Sequence, residues 1–303
     1  MSDRDLIGRI EELKRERDAV ILVHNYQAAE VQEIADFLGD SLALSRQAAA
    51  SGASTIVFCG VYFMAETAAI LSPGKTILIP DPDAGCPMAN MLPAGELRAF
   101  KEKHPGAVVV AYVNSSAAAK AEADLCCTSA NAPAVINSIP EGKEIIFAPD
   151  KFLGDWAMKQ TGRRLILYPG YCPVHRMLDR AAILRARRAH PDALVMVHPE
   201  CTPEVIAEAD EVLSTSGMVR LARESDRREF IVGTEADMTV CLRRENPGKK
   251  FHPASPRVIC PNMKKTGLEK VLWSLEENRH RVTVPEEIRL KALKAVEAMV
   301  SIS

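Results

Sequence analysis

The chain has 303 residues, 47% hydrophobic and 26% charged, with 38 basic against 40 acidic side chains. That is enough apolar material to bury a sizeable core, in one domain or several. A formal charge of -2 gives no global field for nucleic acid or an anionic membrane, and no apolar run approaches membrane-spanning length, so neither is an expected partner.

In chain order, MSDRDLIGRIEELKRERD opens with Leu6, Ile10 and Leu13 at helical spacing. It lacks the apolar core and cleavage site of a signal peptide, so the cytoplasm is the expected compartment. AVILVHNYQ, through His24 and Tyr26, predicts a strand. A helix-like stretch from Glu30 to Leu38, carrying ADFLGDS around Asp36, precedes a second from Ser41 to Ser51. TIVFCG predicts the next strand, MAETAAIL at 64 to 71 a core-facing helix, and ILIPDPDAGCPM a strand that turns at Cys86.

Ala94 to Lys103 is helix-like and leads into AVVVAYVNSS, with Tyr112, Val113 and Asn114 at its end. ADLCCTS (Asp124), EIIFAPD near 144 and LILYPGYCPVH follow. The last is an apolar run that stops at Pro169 and Gly170 and then presents Cys172, past a strand's carboxyl end where ligands bind. ALVMVHPEC carries His198, Pro199 and Glu200; ADEVLSTS (Asp210), EFIVGT near 229 and RVICPNM (Cys260) complete the series. The basic stretches RARR (185 to 188) and LRRENPGKK (242 to 250) read as solvated helix ends or loops, since no stacking aromatics interleave them. Helices from Leu268 to Asn278 and Pro285 to Val300 close the chain, expected on the first unit.

These elements repeat. Cys86, Cys172 and Cys260 each follow a strand-like run, each precede a proline, and are spaced by 86 and 88 residues. His24, Tyr112 and His198 are spaced by 88 and 86, as are Asp36, Asp124 and Asp210. Each unit offers four short strands alternating with helices, which predicts an α/β fold: three pseudo-threefold-related units, each a short four-stranded parallel sheet flanked by helices, around a central site. The expected units are 1–86 with 266–303, 87–172, and 173–265.

Eight cysteines without any CxxC are expected as thiols or metal ligands. Cys59 and Cys241 read as small buried hydrophobes. Cys126 and Cys127 are adjacent, so one of the two is expected to leave the core and approach the site, and Cys201 beside Glu200 competes as an extra ligand. The repeat singles out Cys86, Cys172 and Cys260 as metal ligands, for zinc or for an iron-sulfur cluster. A 4Fe-4S cluster on three cysteines leaves one iron open as a Lewis acid. Ser41, Ser129, Ser214 and Thr215 stand where helices are expected to begin, suited both to capping and to holding anions.

The ordered motifs HNYQ, IADFLGDSL, VFCGVYFMAETAAIL, GCPMANM, AYVNSSA, CCTSANA, HPEC, STSGM, GTE and CPNMKKTGLEKVLWSLE resemble the quinolinate synthase family, the A protein of bacterial NAD biosynthesis. The resemblance runs from about residue 20 to about residue 280. It implies condensation of iminoaspartate with dihydroxyacetone phosphate to quinolinate, with loss of phosphate and two waters. It further implies a 4Fe-4S cluster on Cys86, Cys172 and Cys260, substrate contacts from Ser41, Ser129 and Thr215, and a functional link to an iminoaspartate-producing aspartate oxidase or dehydrogenase. Some members carry CxxCxxC at the third ligand; this chain has Cys260 alone, so no disulfide switch is expected there.

Within that chemistry Tyr26 and Glu200 are the expected general acid/base groups, with Tyr112 and His198 as further catalytic candidates. His24, Asn114 and His198 are expected to hold carboxylates, and Ser41, Tyr112, Val113, Ser129, Pro199, Glu200, Ser214 and Thr215 are expected beside them around the substrate. His175 is read as a residue behind the ligands or as a helix start. The rivals are a zinc hydrolase on the same thiolates and an inert anion-binding protein.

Overall fold

The computed structural model describes residues 2–302. Twelve strands form three separate four-stranded sheets, all parallel. The first contains β1 (Ala19–His24), β2 (Phe37–Gly39), β3 (Thr55–Cys59) and β4 (Thr76–Leu78) in the order β2-β1-β3-β4. The second contains β5 (Val108–Tyr112), β6 (Leu125–Cys127), β7 (Ile145–Ala148) and β8 (Ile166–Leu167), ordered β6-β5-β7-β8. The third contains β9 (Leu194–Val197), β10 (Glu211–Val212), β11 (Glu229–Gly233) and β12 (Lys250–Pro253), ordered β10-β9-β11-β12. One topology thus occurs three times, as the sequence period predicts.

The repeated aspartates hold that topology together. Asp36, Asp124 and Asp210 each accept the backbone N-H of a first-strand residue, from Ile21 at 2.7 Å, Val109 at 2.8 Å and Val195 at 2.7 Å. Each also donates its own N-H to the carbonyl of that same residue. The side chain therefore closes a ring between the first strand and the entry to the second, extending the ladder where regular pairing has not begun. It also corrects the helical expectation for Glu30 to Leu38: the helix is only Ala29–Glu33, because Asp36 turns the chain into β2. Asp124→Ala leaves the Val109 N-H without its charged partner and is expected to cost about 1–3 kcal/mol in urea unfolding, with the cavity residues unmoved.

A strand covered on both faces reads as a continuous apolar run, even at a sheet edge such as β6. This explains Cys126 and Cys127, which are both fully buried in β6, one toward each covered face. The expectation that one of them approaches the site is overturned, since neither lines the central cavity. The amino-terminal helix Asp3–Glu16 starts at a capping box between Ser2 and Asp5 and buries Leu6, Ile10 and Leu13 against β1 and the helix Leu268–Glu277. The last helix, Glu286–Ser301, packs on helices Ser41–Ala50 and Tyr62–Leu71 of the first unit and on β6 and helix Ala117–Lys120 of the second. Asn131 donates to the carbonyls of Met299 and Ile302, both at 2.9 Å, so this helix fastens two units together. No helix of the described residues is long and apolar enough to cross a membrane.

Candidate active site and metal centre

A cavity lies where the carboxyl ends of the three sheets converge, as expected for parallel α/β units. His24, Tyr26 and Ser41 reach it from the first unit, Tyr112, Asn114 and Ser129 from the second, and His198, Glu200 and Thr215 from the third. Tyr26, Asn114 and Glu200 occupy equivalent positions, spaced by 88 and 86 residues, and so do Ser41, Ser129 and Thr215. One scaffold position has thus been filled with three different chemistries. Val61, Phe63, Met64, Met88 and Met263 supply the apolar wall.

Three of the expected site residues do not line the cavity. Val113 and Pro199 are buried beside Tyr112 and Glu200, and the Ser214 hydroxyl accepts the Gly217 N-H at 3.1 Å as a helix cap. Ser41 and Thr215 are each the first residue of a helix, capped by Asp40 and Ser214 respectively. Cys201 is buried against the Gly233 carbonyl, away from the cavity, which removes it as an extra ligand.

Cys86, Cys172 and Cys260 all line the cavity. Two of their turns are anchored by carboxylates that follow the third strand of their unit. Cys172 donates its N-H to Asp150 at 3.2 Å, and Cys260 donates its own to Glu235 at 3.1 Å. The first unit has Val61 at that position and uses backbone instead, the Tyr62 N-H donating to the Ala84 carbonyl at 2.7 Å. Gly170 answers why the run before Cys172 ends in Pro-Gly. A β-carbon there would meet the Pro149 carbonyl oxygen at 2.6 Å, so only glycine lets the turn lie against the segment that carries Asp150.

Burial pushes the Cys86 thiol up to about 12, although the Ala89 and Met88 N-H groups that face its sulfur pull the other way. Burial and then the Glu200 charge hold Cys172 well above the usual thiol range, and burial raises Cys260 as well. Three thiols that line one cavity and resist ionisation are a donor set that becomes thiolate when a cationic group arrives.

Glu200 is the charged centre. Its Oε2 lies 2.8 Å from His175 Nδ1, and its Oε1 accepts from the Tyr112 hydroxyl at 2.5 Å. Burial alone would raise its carboxyl, but His175, His198 and Tyr112 together hold it below the usual carboxylate range. Asp150 is pushed the other way, by burial and by Glu200. His24 Nδ1 accepts the Tyr26 N-H at 3.2 Å, and His198 Nδ1 accepts the Glu200 N-H at 3.3 Å. Both rings therefore carry their proton on Nε2, and that of His198 donates to Ser129 Oγ at 3.1 Å. Burial depresses both histidines to about 3.

A folded-state pKa below the unfolded value near 6.5 means that the unfolded chain takes up protons first, so stability is complete above about pH 6.5 and falls as pH drops toward 3. Each of the two histidines is expected to cost up to about 2 kcal/mol at pH 5. Urea midpoints at pH 7 and pH 5 should show a smaller loss in His198→Gln than in the parent.

His175 is the residue the sequence most underrated. It is buried in the first turn of the short helix Pro173–Arg176, as a helix-start residue, but it lines the cavity beside Cys172 and does not stand behind it. It stacks on His198 with ring centroids 4.7 Å apart and contacts Cys172 Sγ at 3.2 Å and Thr234 Oγ1 at 2.8 Å. Thr234 reaches the Tyr26 hydroxyl at 2.6 Å, linking Tyr26 through His175 to Glu200. Asp150, Thr234 and Glu235 were missed, although EIIFAPD and EFIVGTE place Asp150 and Glu235 at comparable points after the third strand. Cys172, His175 and Glu200 present donor atoms all within 4.8 Å of one another, a group able to hold a metal; Cys86 and Cys260 line the same cavity outside that group.

The sequence model of the family described as quinolinate synthetase A protein matches residues 8–301. Among curated proteins, the chain is 54% identical over 291 residues to the quinolinate synthase of Thermodesulfovibrio yellowstonii, covering 96% of both chains. It is 54% identical over 300 residues to that of Dehalococcoides mccartyi, with 99% of each covered. Quinolinate synthase 2 of Methanosarcina acetivorans is 52% identical over 303 residues, 100% of this chain and 97% of its own.

Proposed function

Because this chain belongs to the quinolinate synthetase A protein family, we propose that it is a quinolinate synthase of NAD biosynthesis, joining iminoaspartate and dihydroxyacetone phosphate into quinolinate, phosphate and two waters. The observation that carries this is the delivery of one cysteine per unit to a cavity that also holds Tyr26, Tyr112 and Glu200. The sulfur-only set Cys86, Cys172 and Cys260 fits a 4Fe-4S cluster. Its turns are fixed by Asp150, Glu235 and the Ala84 carbonyl, and two of its members lie outside the compact group around Glu200, a spread suited to a polynuclear group over a single zinc. When bound, the cluster supplies one open iron as a Lewis acid for a hydroxyl or carboxylate oxygen of substrate.

The chain's own residues do the rest. The Nε2 proton of His24, with Ser41, Ser129 and Thr215, holds carboxylate and phosphate oxygens as neutral donors, and His198 acts through the Ser129 hydroxyl to which it donates. Being uncharged over the working pH range, these groups bind anions without competing as acids. Asn114 Oδ1 is buried without a partner, an acceptor suited to a substrate N-H or hydroxyl. Glu200 takes protons from carbon or nitrogen during enamine formation and ring closure, and Tyr26 and Tyr112, whose phenols burial and the Glu200 charge keep protonated, return them to leaving hydroxyls. An iminoaspartate-producing enzyme is the functional partner, and the cytoplasm the compartment.

The test is anaerobic: iron, acid-labile sulfide and the visible spectrum are measured on the purified protein, followed by quinolinate formation from the two substrates. About four iron and four sulfide per chain with turnover are expected. Zinc without sulfide, or no product from the loaded protein, overturns the proposal.

A further inference from the structure

On the far side of the third unit, three side chains that the central site does not use converge on one point. His190 follows the helix Arg180–Ala189, Glu229 begins β11, and His252 lies in β12. His190 Nδ1 is 3.2 Å and His252 Nε2 is 2.8 Å from the same oxygen, Glu229 Oε1. The two rings stack with centroids 3.5 Å apart and 14° between planes, and each turns one nitrogen to that shared carboxylate oxygen. All three donor atoms lie within 4.8 Å of one another, and the side chains are 31%, 27% and 27% exposed for His190, Glu229 and His252, reachable from solvent yet held by packing.

We propose that His190, Glu229 and His252 form a second, peripheral metal site for a zinc-type divalent ion. Two imidazoles and a carboxylate select borderline transition ions over magnesium or calcium, which prefer all-oxygen shells. Donor atoms bound at about 2.0–2.1 Å in a tetrahedron stand a little over 3 Å apart, close to the spacing of each ring nitrogen from the carboxylate oxygen. Because the stacked ring planes are nearly parallel, one ion cannot lie in both, so binding requires one ring to swing out of the stack, a movement open to partly exposed side chains, with each ring then carrying its proton on the nitrogen away from the ion. The fourth position faces solvent and takes water. Lys250, paired with Glu229 across the β11–β12 ladder, is the neighbouring cation the ion has to tolerate.

The site is separate from the central cavity. Glu229 begins β11 and Gly233 ends it beside Thr234 and Glu235, about 13 Å away at the rise of an extended strand. A bound ion would clamp the end of a helix to two strands and stabilise the third unit without touching the chemistry.

The experiment uses the cluster-loaded protein, to which Zn2+ is added before gel filtration and elemental analysis, with Co2+ as a spectroscopic substitute. About one zinc per chain is expected beyond the iron, with a cobalt absorption of low-symmetry nitrogen and oxygen ligation. His252→Gln keeps a hydrogen-bond donor for Glu229 but lacks the imidazole, and His190→Ala removes the other ring. Each is expected to weaken zinc binding at least about tenfold with iron and sulfide unchanged. Equal zinc uptake by parent and both variants, or none by the parent, overturns the site. Iron content is read separately, so failure here is distinct from failure of the cluster.

Discussion

Cys172→Ser should yield a colourless, folded protein without iron or sulfide and without detectable quinolinate formation. The backbone N-H of residue 172 still reaches Asp150, and Gly170 still fits against the Pro149 carbonyl, so the turn keeps its shape. What is lost is the thiolate; a serine hydroxyl at the same place is a hard, weakly acidic ligand that a soft iron-sulfur group does not accept. In metal-free protein stability should fall by only about 1–2 kcal/mol, since a serine hydroxyl can replace the sulfur's contacts with His175 and only a small apolar contact with the core is lost. Cys201→Ser is the matching control. Its sulfur is fully buried outside the cavity, so this variant should lose stability while keeping full iron. Iron retained by Cys172→Ser, or lost from Cys201→Ser in a folded chain, would refute the ligand assignment.

Much of this arrangement was legible in the sequence because the repeat forces equivalent residues into equivalent places. Apolar runs ending in polar or turn residues located the strands, and the recurrence of Cys-Pro after a strand end selected three cysteines out of eight. What local pattern could not give is which equivalent residue faces the cavity and which caps a helix. Ser214 and Thr215 are neighbours in sequence, yet one hydroxyl is consumed by Gly217 and the other accepts from Asn25 of the first unit at 2.9 Å. Likewise His175 looked like an ordinary helix-start residue, because its partners Thr234 and Glu200 come from other segments that only the folded chain brings together. The Cys126–Cys127 expectation failed for a different reason. It assumed one exposed face, whereas helices, the last one included, cover both faces of the second sheet.

Glu200→Gln should retain the iron and sulfide of the parent and lose turnover by about 10²–10⁴-fold, the range expected when a positioned acid/base group is removed. Glutamine fills nearly the same volume and can still accept from Tyr112, so the cavity does not collapse. The negative charge that His175, His198 and Tyr112 stabilise is what disappears. That charge has a second consequence, which separates its electrostatic role from packing. After burial, Glu200 is the largest contribution holding Cys172 above the usual thiol range, and it also raises Cys86. Without it those thiols ionise more readily. Metal-free Glu200→Gln should therefore react faster with iodoacetamide at Cys172 than the metal-free parent at one fixed pH, whereas Cys59, held up by burial alone, should not change. Turnover equal to the parent would remove Glu200 from the chemistry. Lost turnover with unchanged Cys172 alkylation would mean that Glu200 acts through shape and not through charge.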